Sequence, residues 1–180
     1  MLSVPAEAAL SMPDTDPAPR RLRLRIALGM IAAIELLDRL SSLPNIFHDY
    51  HQTTAYMRFA QTLTSVQLGV TPLIAAAVLV LAAIGRLREA IVGLATLVLT
   101  VWLLDDVPSM PIHGLEFSWT YGGIEVFVHH VMFPLLAIAG ATLALKNRWL
   151  ALAGLLVSLP TLINWAGMVA FTIAVMIYGF

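Results

Sequence analysis

Cysteine is absent from all 180 residues, which excludes disulfides, iron–sulfur clusters and thiol catalysis. Charge is scarce as well. Only 12% of residues are charged, about half the share of a soluble globular domain. The 10 Lys and Arg are matched by 11 Asp and Glu, and the one basic cluster is a short N-terminal run, so nucleic acid is not an expected partner. No Walker loop, G-x-G-x-x-G, G-x-S-x-G or H-E-x-x-H occurs, and no triad pattern. No motif supports turnover by this chain alone. The E-x-x-H pairs of a di-iron bundle are also missing.

What remains is apolar: 59% of the chain, arranged in blocks rather than at amphipathic spacing. The blocks run at about 24–43, 63–84, 90–104, 124–145 and 149–178. They predict an all-α integral membrane helical bundle. Its core has four helices, and a fifth C-terminal block is kinked or broken at Pro160. That last block would be roughly 45 Å long as one helix, against a hydrocarbon core of about 30 Å. Residues 1–19 are rich in Ala, Pro, Ser and Asp and lack an apolar signal core, so they read as a disordered cytoplasmic tail.

Eight of the ten basic residues fall in alternating connections: Arg20, Arg21, Arg23 and Arg25, then Arg86 and Arg88, then Lys146 and Arg148. The positive-inside rule puts those connections in the cytoplasm. The segments "PNIFHDYHQTTAYMRFAQ" and "DDVPSMPIHGLEFSWTYGG" then lie outside. For a bacterial inner membrane, that means periplasmic loops. All five histidines, His48, His51, His113, His129 and His130, lie on that side, with most of the acids.

This polarity predicts a pocket in the outer leaflet, because ionisable groups at membrane depth tend to face the bundle interior and pair there. Glu125 and His129 are four apart and share a helix face, while His130 points about 100° away. These three are the candidate cofactor-binding residues. A metal would draw on His48, His51, His113, Asp105 and Asp106. Glu35, Asp38 and Arg39 have the spacing of a structural ion pair. Bland readings stand beside these. The two helix histidines could simply be solvated at the interface, Asp105 and Asp106 could end the third helix at the water boundary, and H-x-x-H could be an ordinary wet loop. Trp102, Trp119, Tyr50, Tyr56 and Tyr121 fit an aromatic belt. Haem is disfavoured, since only one helix offers histidines from within a span.

"RIALGMIAAIELLDRL" and "PIHGLEFSWTYGGIEVFVHHVMFPLLAIAGATLAL" resemble the first and last core helices of DoxX-like membrane proteins, with "GRLREA" at the corresponding hinge. On this mapping Glu125 matches the family's glutamate. The resemblance implies a four-helix membrane bundle that partners redox systems, in some members at the quinone level. The chain departs from the pattern at "VQLGVTPLIAAAVLV" and "LKNRWLALAG", and it adds a fifth apolar block. Three expectations follow. The first is a redox-associated membrane subunit binding quinone or a metal. The second is a structural or assembly subunit packed against other membrane proteins or copies of itself. The third is a small-molecule transporter.

Overall fold

Two tight turns set the topology. Each closes a helix with a left-handed residue, Gly85 at φ 83° and Asn147 at φ 51°. After each, a backbone N–H reaches back to a carbonyl five residues earlier: Arg86 to Leu81, at 2.9 Å, and Arg148 to Leu143, at 3.0 Å. This is the paired capping pattern that lets a chain reverse directly into an antiparallel neighbour.

The computed structural model of the chain describes residues 18–47, 54–113 and 121–179. These are 94% helical with no strand among them, so the described fold is all-α. Helix α1 is Ala18–Ser42, followed by a short 3₁₀ segment, Leu43–Phe47. Helix α2 is Ala55–Ala83. Helix α3 covers 87–113 and α4 covers 121–145, each with one wider π turn inside. Helix α5 is Leu150–Tyr178.

Several boundaries differ from expectation. Helix α1 starts at Ala18 rather than Leu24, because Pro19 fits a first helical turn and the arginine run is a good helix former. Helix α2 starts at Ala55, where the Thr54 hydroxyl accepts the Met57 N–H at 3.2 Å. Residues 55–61 are therefore helix, not loop. Helix α3 does not end at Asp105 and Asp106 but passes through both to His113. Helix α5 runs unbroken past Pro160. The disordered-tail reading of residues 1–17, and the loop residues His48, His51 and Glu116, lie outside the described residues.

The helices alternate in direction. Arg25, near the start of α1, donates to the Ala83 carbonyl at the end of α2. Gly154 of α5 sits against Leu24 and Leu28, while Thr161, one further stretch along, meets Glu35. Helices α1 and α5 thus run parallel. Helix α3 contacts all four of the others and forms the centre. Its first half is buried through Leu87, Ala90, Ile91, Leu94, Ala95 and Leu97.

The packing is inverted relative to a water-soluble protein. Many of the residues at zero or near-zero exposure are alanines: Ala32, Ala75, Ala90, Ala137, Ala144 and Ala153 among them. Large apolar side chains point outward, with Leu73 71%, Phe171 68% and Met176 80% exposed. Small residues let helices approach closely where lipid tails are as apolar as leucine. Helices α2, α3, α4 and α5 are each long and apolar enough to cross a membrane. Helix α1 falls outside that group because Glu35, Asp38 and Arg39 interrupt its apolar run.

Candidate functional site

The apolar core occupies the half of the bundle nearest the arginine-bearing turns. The other half is polar, and two local distortions shape it. In α4 a π turn covers Val128–Met132, with Phe133 N–H bonding to the Val128 carbonyl. In α3 a π turn covers Trp102–Asp106, with Val107 N–H bonding to the Trp102 carbonyl. Each turn ends two residues before a proline, Pro134 and Pro108. A proline removes the N–H owed to the carbonyl four residues earlier and crowds that carbonyl. For Pro134 the deprived carbonyl is His130, and it accepts instead from the Trp102 indole N–H of α3 at 3.0 Å. The Tyr56 hydroxyl of α2 donates to the Pro108 carbonyl at 2.7 Å. The polar half is thus held by bonds between helices to backbone around the two distortions. Such wider turns recur at functional sites.

Two clefts open there. One, of about 200 Å³, is lined by Glu125, His129 and His130 of α4 with Ser109 and Met110 of α3. A regular helix would turn His130 away from His129. The π turn fits an extra residue into one turn, so His130, five residues after Glu125, comes round to the same cleft as Glu125 and His129. The His130 Nδ1 lies 3.0 Å from the Val126 carbonyl, and since a carbonyl only accepts, that nitrogen carries the proton. The His129 ring lies against Phe133 at 4.8 Å between centroids.

The second cleft, of about 240 Å³, lies between α1, α2 and α3. Arg39, Asn45, Thr64, Ser65, Gln67 and Asp105 line it. Thr64 donates to Asp105 Oδ1 at 2.9 Å. Gln67 is only 2% exposed, and its Oε1 has no hydrogen-bond partner. A buried acceptor left unpaired costs about 1–3 kcal/mol. This is the one such side-chain atom found among the described residues.

Behind this cleft lies a buried ion pair. Glu35 Oε2 accepts from Arg39 at 3.1 and 3.3 Å, and Glu35 Oε1 accepts from the Thr161 hydroxyl at 2.6 Å. Asp38 stands 4.0 Å from Arg39. Both Glu35 oxygens are therefore satisfied, which a carboxylate at 6% exposure requires.

Of the residues expected to bind metal, Asp105 accepts from Thr64, Asp106 follows it in the same π turn, His113 is the last residue of α3, and His48 and His51 lie outside the described residues. Among the described residues no group of three or more His, Asp or Glu is placed to hold a metal ion. Sequence reasoning passed over Gln67, Thr64 and Thr161, and it placed Trp102 in an aromatic belt rather than in a bond to the His130 carbonyl. A lone glutamine in an apolar helix was the available signal for the first; the others become visible only through tertiary contacts. The chain matches no protein-family model, no curated protein and no solved structure.

Proposed function

We propose that this chain is a membrane-embedded binding subunit of a redox system, and that the cleft at Gln67 holds the head group of a quinol-class lipid. The observation that carries this reading is that Gln67, which lines a polar cleft, has an Oε1 without a hydrogen-bond partner. An orphaned acceptor calls for a donor, and a quinol presents two hydroxyls. Asp105 offers a second acceptor across the cleft, and Arg39 supplies donors for a quinone carbonyl. The cleft at Glu125, His129 and His130 would exchange the protons with the outer medium, since a neutral imidazole is a suitable acceptor near neutral pH. The likeness of α1 and α4 to DoxX-like proteins supports a place in the bacterial inner membrane with these clefts on the periplasmic side.

The test is a titration of the purified protein in mild detergent with a short-tailed benzoquinol and its quinone, followed by tryptophan fluorescence. Saturable quinol binding is expected, weakened by about tenfold in Gln67→Leu. The same variant should raise the stability of the empty protein, because it removes an unsatisfied buried acceptor. Quinol binding that is absent, or unchanged in Gln67→Leu, would overturn the reading.

One observation favours a second reading, that of an assembly subunit. Every residue from 162 to 173 of α5 is exposed, including Trp165 and Phe171, so this stretch has no packing partner within the described chain. On that reading Gln67→Leu stabilises the protein without loss, and Ala170→Leu disrupts a larger complex.

A further inference from the structure

A further cleft lies at the opposite end from the polar half, and neither reading above uses it. It measures about 450 Å³ and gathers Arg21 and Arg25 of α1 with Arg86 and Arg88 at the start of α3. Asn147, from the α4–α5 turn, completes its wall. These residues are separated by more than a hundred positions in sequence, and the topology brings them together because α1, α3 and α5 all begin at this end. One acid, Glu89, shares the cleft. It is already engaged by Arg86 at 2.6 Å. Arg25 donates through Nη2 to the Ala83 carbonyl, which holds its side chain beside the cleft.

The positive-inside rule explains why arginines occur at this end, but it does not require them to line one concavity. Four arginines against one acid, Glu89, give the lining of this cleft an excess of positive charge that favours an anion. The backbone adds to the same field. The first turns of α3 and α5 both open here, and neither receives a side-chain cap. Their positive dipole ends therefore reinforce the arginines.

We propose that this cleft binds a phosphate group, supplied by an anionic phospholipid head group at the surface of the membrane. Guanidinium forks match phosphate oxygens in pairs, and basic pockets between membrane helices on the positively charged side are suited to such head groups. The bound lipid would tie the start of α1 to the turns on either side of α3, at the end where the apolar core begins.

The test uses the full chain purified in detergent and native mass spectrometry after reconstitution into nanodiscs. One set contains phosphatidylcholine alone, and the other contains a fifth phosphatidylglycerol. A parallel arm adds inorganic phosphate to detergent-solubilised protein. Arg21→Gln/Arg88→Gln is compared with Arg58→Gln, which removes an arginine on α2 far from the cleft. Both Arg21 and Arg88 are exposed, so the double variant should fold; its circular dichroism and elution volume check this. The wild type and Arg58→Gln should retain phosphatidylglycerol in preference to phosphatidylcholine. The double variant should bind it more weakly, on the order of 30-fold. Displacement of the lipid by millimolar inorganic phosphate would support the same site reading the phosphate itself. Binding of inorganic phosphate without lipid preference would overturn the lipid source. Equal lipid retention by the folded double variant and Arg58→Gln would overturn the site.

Discussion

Gly140 offers the sharpest test of the packing. A Cβ added there would stand 2.5 Å from Val157 Cγ1 and 2.9 Å from the Ala153 carbonyl oxygen. Carbon atoms pack at about 3.5–4.0 Å, so each contact is too close by roughly half an ångström or more. Valine in a helix has essentially one rotamer and cannot swing away. The carbonyl is backbone and moves only with α5. The two helices must therefore separate, opening the seam where Ala137, Ala144, Ala153 and Val157 are each fully buried. Overpacking of this kind costs about 1–3 kcal/mol. Replacing glycine by alanine within a helix also gains stability of about 0.5–1 kcal/mol, which would blur a single measurement. Gly29 supplies the control, since its added Cβ meets nothing within 4 Å. The backbone gain is common to both variants, so the difference between them isolates the clash. Thermal unfolding in one detergent should place Gly140→Ala below Gly29→Ala, by about 2–4 °C for each kcal/mol in a chain of this size. Gly93→Ala, whose only close neighbour is the Val78 side chain at 2.6 Å, should fall between them. Equal melting temperatures for Gly140→Ala and Gly29→Ala would refute the close α4–α5 crossing.

Other outcomes follow from the polar half. Arg39→Ala leaves Glu35 buried without its cation and should cost about 3–5 kcal/mol, while Glu35→Gln in the same background should restore much of it; detergent unfolding of the single and double variants measures this. Thr161→Val keeps the shape but removes the donor to Glu35 Oε1, with a loss of about 1.5–3 kcal/mol on the same assay. Trp102→Phe should cost about 1–3 kcal/mol by leaving the His130 carbonyl without a donor. That cost should shrink in a Pro134→Ala background, where residue 134 regains an N–H; a double-mutant cycle with no coupling would contradict the assignment.

The helical class and the polarity of the molecule were legible in the sequence because both rest on composition. Apolar blocks of sufficient length define helices at membrane depth whatever surrounds them, and arginines mark the connections. The Glu35–Arg39 spacing was legible for the same local reason. The boundaries were less so. Hydrophobicity marks where a helix is greasy, not where its hydrogen bonds stop, so α2 and α3 extend well beyond their apolar blocks into residues expected to be loop. Of the two outcomes expected at Pro160, a kink or a break, the break does not occur: helix α5 carries its proline at the point where Thr161 is pinned to Glu35, and packing on α1, α3 and α4 holds the preceding turns.

The arrangement of the candidate site escaped a reading based on regular helical period, and the reason is specific. Counting at 3.6 residues per turn puts His130 on a different face from Glu125 and His129. That count fails wherever the ladder widens, and here the widening follows from chemistry visible in the sequence. Pro108 and Pro134 each deprive a carbonyl of its donor, and in both helices the π turn stands directly before the proline. A helix that must carry a proline inside a packed bundle has to pay somewhere for the lost bond. In α4 the compensation comes from Trp102 on the neighbouring helix, and that same bond fixes α4 against α3 beside the cleft of Glu125, His129 and His130. The prolines therefore do more than bend two helices. They accompany the turn that brings Glu125, His129 and His130 to one cleft, and a proline two residues past a wider turn on each of two adjacent helices is a pattern that links sequence to site.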